Sequence, residues 1–234
     1  MTTDPIAATH ATTTGAPTVD DRDPATSTVV LDLGNVLVHW DPYLAFAGHL
    51  PRAEVDRFFD EVDFAALNHA QDAGRPWASA RAELAERLPQ HVPTLDLYLE
   101  HFAASLPGPV AGSAAIVAEL VAAGVRVLGL TNWSAETYRH AVPAAPAIGL
   151  LEDVLVSGQV GLAKPDPRIF ALLVERYGLV PARTVFADDA PVNVAAAARA
   201  GLDAVLFTSA AALRADLRAR GLPLAADGRD GAAT

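Results

Sequence analysis

Short apolar or β-branched runs recur along the chain: "TVVLDL" from Thr28, "VRVLGL" from Val125, "DVLVS" from Asp153, "TVFAD" from Thr184 and "DAVLF" from Asp203, with helical patterns following them. That alternation predicts a parallel sheet wound with helices, an α/β fold. The segment "SAETYRHA", 134–141, is expected to be helical. So is "DPRIFALLVERYG", which opens on Asp166-Pro167 and closes at Gly178 as a capped helix should.

Residues 43–107 break the alternation. They offer amphipathic helical stretches such as "RAEVDRFFDEV" and "WASARAELAERL" and no convincing strand, so they read as a helical insertion. Placed directly after the first strand, the insertion would sit above the carboxyl edge of the sheet, where open α/β folds bind ligands, and act as a cap. The expected division is a core of 28–42 and 108–221, a cap of 43–107, a disordered tail over 1–27 rich in Thr, Ala, Asp and Pro, and a loose end over 222–234.

Composition narrows the chemistry. With no cysteine among 234 residues, disulfide scaffolds, thiolate zinc sites and thiol nucleophiles are excluded. A formal charge of -11 speaks against general nucleic-acid or anionic-membrane binding, so any phosphate must be recognised locally. No apolar segment approaches the length of about twenty residues that crosses a bilayer, and the start lacks the features of a secretory signal. A soluble, cytoplasmic monomer or homodimer acting on a small molecule is expected.

Polar clusters stand at strand ends or helix starts: Asp32 with Gly34, Thr131 with Asn132, Lys164, and Asp188 with Asp189. Singly, each has an ordinary reading as a cap, a turn former or a surface charge. In a parallel sheet, however, these positions converge on one edge. Together they supply carboxylates for a divalent cation, a Lys and a hydroxyl for phosphate oxygens, and an acid placed as nucleophile. Neighbouring carboxylates repel unless a hard cation such as Mg²⁺ sits between them.

The stretches "VVLDLGNVLVHWDP", "LGLTNWSAET", "GLAKPDPRIF" and "FADDAPVNVAAAARAG", in this order around a helical insertion, resemble the four signature motifs of the haloacid dehalogenase superfamily over about 29–221. The resemblance is greatest to its phosphatase branch with a small helical cap, including sugar-phosphate phosphatases of the glucose-1-phosphate type. It implies a Rossmann-like core and a Mg²⁺-dependent reaction in which Asp32 attacks phosphorus to form an aspartyl-phosphate that water hydrolyses. It further implies that Thr131 and Asn132 hold phosphoryl oxygens, that Lys164 stabilises charge, and that the metal is held by Asp32, the Gly34 carbonyl and Asp189, with Asp188 beside it. In the cap, "LNHAQDAGRPW" resembles a stretch in which an Asn and an Asp face the site, here Asn68 and Asp72.

Most phosphatases of the superfamily carry a second Asp where this chain has Gly34. Without that acid, esters with poor leaving groups are expected to react slowest, since a positioned acid contributes about 10²–10⁴-fold. His39 is a candidate donor, although packing at the cap interface is its more ordinary role. Asp41-Pro42 is expected to shape the turn into the cap, and Trp77 and Trp133 to pack or to stack on a sugar. The alternatives are a haloacid dehalogenase-type hydrolase using the same Asp on carbon, and a non-catalytic phosphate-binding or interaction module. A nucleotide-binding oxidoreductase lacks its glycine-rich fingerprint here.

Overall fold

The structure is a computed structural model that describes residues 28–226. Its strands are β1 (Thr28–Leu31), β2 (Arg126–Thr131), β3 (Val154–Val156), β4 (Thr184–Asp188) and β5 (Asp203–Leu206). They form one parallel sheet in the order β3-β2-β1-β4-β5. The side chains of β1 are buried on both faces, which is why a continuous Val-Val-Leu run suits this central position. Chain order reverses between β1 and β4, so the switch point where such sheets bind ligands lies beside the last residues of these two strands.

The helices are α1 (Arg52–Val62), α2 (Phe64–Asp72), α3 (Trp77–Arg87), α4 (Val92–Glu100), α5 (Ser113–Ala122), α6 (Ala141–Ala144), α7 (Ser157–Val160), α8 (Pro167–Tyr177), α9 (Pro191–Arg199) and α10 (Ala210–Ala219). Helix α8 starts at Asp166, whose carboxylate accepts the Arg168 amide, and ends at Gly178 in the left-handed conformation. One face of the sheet packs Val30, Leu128 and Phe186 against Ile169, Phe170 and Leu173 of α8 and Ala196 of α9. The other face shares a continuous core with the segment carrying α1 to α4.

That segment leaves and rejoins the sheet side by side. The His39 amide donates to the Gly108 carbonyl at 2.9 Å, the Val110 amide to Leu37 at 3.0 Å, and the Asp41 amide to Ser105 at 2.9 Å. Asp41 also caps the short helix Pro42–Phe46 through the Tyr43 amide at 3.0 Å. Inside the segment, Phe59 stacks on Phe64 at 4.3 Å and Phe64 meets Tyr98 edge-on at 5.1 Å, so an aromatic cluster supplies its interior.

Two expectations need correction. Residues 134–141 do not form one helix: a turn leads into a single 3₁₀ turn, Tyr138–His140, and then into α6. Pro143 lacks the amide that a helix continued from Ser134 would require. Residues 222–225 are not loose, because Leu222 and Leu224 are buried in the core and the Ala225 amide donates to Glu119 at 2.9 Å. The expected tail over 1–27, and the end beyond residue 226, lie outside the described residues.

Candidate active site

Register places the polar clusters in space. Leu31 pairs with Gly129 on one side and Ala187 on the other, so the next residue of β1, Asp32, lies beside the ends of β2 and β4. Its amide continues the ladder to Ala187 at 2.9 Å, and its Oδ1 accepts the Leu33 amide at 2.7 Å. Close approach of β3 and of Leu33 to β2 requires Gly129, where a Cβ would come within 2.9 Å of Val154 and 3.0 Å of Leu33.

Lys164 is 1 % exposed, a depth at which an ammonium group needs partners. Its Nζ lies 2.9 Å from Asp32 Oδ1 and 2.6 Å from Asp188 Oδ2, and donates to the Leu130 carbonyl at 2.9 Å. The Asn132 side chain holds the Lys164 backbone from both ends: Nδ2 donates to the Lys164 carbonyl and Oδ1 accepts its amide, each at 2.8 Å. That side chain, expected to grip phosphoryl oxygens, is therefore engaged in positioning Lys164. Thr131 is buried at the end of β2.

Asp188 is completely buried and well supplied with donors. Besides Lys164, the Ala190 amide reaches Oδ1 at 2.8 Å, and the Asn193 Nδ2 reaches Oδ1 at 3.0 Å and Oδ2 at 3.1 Å. Asp189 is half-buried beside Asp188. Asp32, Asp188 and Asp189 each offer an oxygen within 4.8 Å of the others.

This crowding shows in the proton affinities. Burial pushes Asp32 up to about 7; the Lys164 ammonium opposes this, and Asp188 adds to it. Asp189 is raised by burial and by Asp188. For Lys164, burial is the largest influence and works downward, but Asp32 and Asp188 together outweigh it and hold the ammonium above its usual range. Three carboxylates face one buried cation, so the donor set carries excess negative charge on hard oxygens. Such a set suits Mg²⁺.

A cavity of about 80 Å³ opens at this edge, lined by Gly34, Trp40, Asn68, Asp72, Phe102, Asn132, Trp133 and Thr137. Gly34 leaves open space where a side chain would be, and its φ is not positive. Asn68 and Asp72 sit one turn apart on α2, and the Asn68 amide donates to Asp72 Oδ2 at 2.9 Å. The two tryptophans differ: Trp133 borders the cavity with its Nε1 on Thr137 at 3.1 Å, whereas Trp77 is buried in the core and is not among the residues lining the cavity. His39 is exposed and does not line the cavity either.

Several contributors escape sequence reasoning. Asn193, which braces Asp188, carries the only signal, standing five residues on in the first turn of α9. Ser157 accepts the Trp133 amide at 2.9 Å and donates to the Asp72 carbonyl at 2.5 Å, tying α2 to the sheet, and no local pattern announces it. Trp40, Phe102 and Thr137 reach the cavity from separate segments.

A sequence profile of the haloacid dehalogenase-like hydrolases matches residues 26–201. The chain is 29% identical over 203 residues to a phosphoglycolate phosphatase of Rhodospirillum rubrum, covering 77% of this chain and 78% of that one. A haloacid dehalogenase family enzyme of Bacteroides thetaiotaomicron, solved with magnesium and inorganic phosphate, superposes with a TM-score of 0.62 at 19% identity over 79% of this chain and 96% of that one. A dehalogenase structure superposes with a TM-score of 0.57 at 21% identity over 82% of this chain and 87% of that one. Fold alone thus does not choose between chemistries.

Proposed function

The chain belongs to the haloacid dehalogenase-like hydrolase family, and on that premise we propose that it is a Mg²⁺-dependent phosphatase of a small phosphomonoester, with sugar phosphates as the first candidates. The observation that carries this reading is the buried Lys164 held between Asp32 and Asp188, with Asp189 beside them, at the switch point of the sheet. Phosphoglycolate phosphatase is the activity of the relative and supports the class of reaction, not the substrate.

In this reading Asp32 attacks phosphorus, the bond to the leaving oxygen breaks, and water then cleaves the aspartyl-phosphate to release inorganic phosphate. Lys164 fixes the attacking carboxylate and offsets charge on the phosphoryl group. Thr131 binds a phosphoryl oxygen, and Asn132 acts chiefly by holding Lys164 in place. Asp32, the Gly34 carbonyl and Asp189 would hold Mg²⁺, with Asp188 alongside, and the cation would supply charge neutralisation for the incoming phosphate. The helices over residues 43–107 would serve as the cap, with Asn68 and Asp72 turned toward the leaving group. The substrate would be a small soluble molecule; no described helix is long and apolar enough to cross a membrane.

A dehalogenase would use the same nucleophile without a cation, which leaves three crowded carboxylates unexplained. The deciding experiment measures phosphate release from sugar, nucleotide and aryl phosphates with and without Mg²⁺. Mg²⁺-dependent release supports the proposal. Chloride or fluoride release from 2-haloacids that persists in excess chelator, with no phosphate release, overturns it.

A further inference from the structure

Position 34 leaves the proposed reaction without a proton donor, and the residues around the cavity contain one substitute. Among the described residues lining it, the carboxyl of Asp72 is the one titratable side chain. It reaches the cavity, which Gly34 also lines, from the last turn of α2, and α2 is fastened there rather than hinged loosely. Ser157 donates to the Asp72 carbonyl at 2.5 Å, and the Asn68 Nδ2 donates to its carboxyl at 2.9 Å. Two residues on, Gly74 has φ +97 and approaches α7 so closely that a Cβ would lie 3.1 Å from Gly161 Cα and 3.3 Å from the Gly158 carbonyl. Trp77 then anchors α3 by donating its amide to Glu136 at 2.9 Å. These contacts hold the Asp72 carboxyl at a defined place over the catalytic edge.

We propose that Asp72 is the general acid and base of the reaction, replacing the acid that relatives carry at position 34 with one supplied by the helical insertion. The proposal rests on the phosphatase reading above. When Asp32 attacks, the phosphorus–oxygen bond to the substrate breaks. Its electron pair stays on the leaving oxygen, which takes the proton from Asp72 and departs as a neutral alcohol. The Asp72 carboxylate then removes a proton from water as the water oxygen bonds to phosphorus and the bond to Asp32 breaks. Inorganic phosphate leaves, and Asp72 is protonated again.

The surroundings suit this cycle. Burial pushes Asp72 up to about 7, against the opposing pull of the Ser134 amide and of Lys164, so its acid and carboxylate forms lie close in free energy near neutral pH, as a group that gives and takes a proton requires. The titratable or charged groups that act on it are Lys164, which favours the carboxylate, and Tyr98, whose own proton loss it hinders. Asn68 supplies one hydrogen bond, while a carboxyl group has acceptor positions for about four.

The test compares p-nitrophenyl phosphate, whose leaving group departs unprotonated, with ethyl phosphate, whose leaving group does not. Asp72→Asn should lower kcat/KM for ethyl phosphate by about 10²–10⁴-fold and for p-nitrophenyl phosphate by no more than about tenfold. The variant should show a burst of nitrophenolate, because hydrolysis of the phosphorylated Asp32 slows. Wild-type kcat/KM for ethyl phosphate should fall above about pH 7, and this limb should vanish in the variant. Gly34→Asp added to Asp72→Asn should recover ethyl phosphate turnover, since position 34 has open space. Equal losses on both esters with the pH limb retained would overturn the role of Asp72 and leave the phosphatase reading standing. No phosphate release by wild type with Mg²⁺ from these two esters or from the sugar and nucleotide phosphates named above would overturn both.

Discussion

Lys164 Nζ lies 2.6 Å from Asp188 Oδ2, and both side chains are wholly buried. Removing one partner of a buried pair strands the other's charge, which typically costs about 3–5 kcal/mol. Lys164→Ala should therefore lower the unfolding free energy by about that much in chelator, measured by urea titration. Added Mg²⁺ should recover part of the loss by replacing the positive charge. Stability unchanged in chelator would mean that the pair contributes little.

Asp32→Asn should abolish turnover and leave the fold intact, because an amide cannot form the acyl-phosphate and is nearly isosteric with the acid. The variant should unfold at a temperature no lower than wild type in chelator, since it removes a carboxylate that burial already disfavours. Phosphatase rates close to wild type would exclude the covalent route.

Asp188→Ala and Asp189→Ala should separate structure from metal binding. Asp188 accepts from Lys164, Ala190 and Asn193, so its loss should lower stability more. Asp189, half-buried and touched by fewer donors, should lower Mg²⁺ affinity more when replaced. Calorimetric titration with Mg²⁺ and urea unfolding check the two halves, and equal effects on both would undo the distinction.

The raised Asp72 makes a prediction for stability against pH. Its folded value is about 7 and its unfolded value about 4, so the folded state binds the extra proton between them. The contribution of Asp72 to stability is full below about pH 4 and is lost as pH rises to about 7. Asp72→Asn should accordingly gain on wild type across that window, read from urea unfolding at a series of pH values in chelator. Parallel curves for the two proteins would show that Asp72 titrates normally.

Glu136 places its carboxylate on the first amide of α3, where the helix dipole favours negative charge. Glu136→Gln should weaken this link by about 0.3–1 kcal/mol. Hydrogen exchange that speeds up at the amides of α2 and α3 but not in the strands of the sheet should report it. Exchange unchanged in both helices would show that other contacts suffice to hold them.

Much of the architecture is legible in short stretches, because strand runs, helix periodicity and caps are local properties. The run from Thr28 to Leu31, the helix from Pro167 to Gly178 and the helical character of residues 43–107 follow from neighbours within a few positions. The order of the four motifs likewise points to the family without coordinates. Tertiary structure alone decides what depends on residues distant in the chain. It brings Lys164 to Asp32 across 132 positions, turns the Asn132 amide onto the Lys164 backbone, and sends Trp133 to the cavity but Trp77 to the core. It also packs Leu222 and Leu224 against the core, where composition suggested a loose end. The physical reason is one of range: propensity and capping act within a turn or two, whereas burial, ion pairing and proton affinity are set by whatever the fold places alongside.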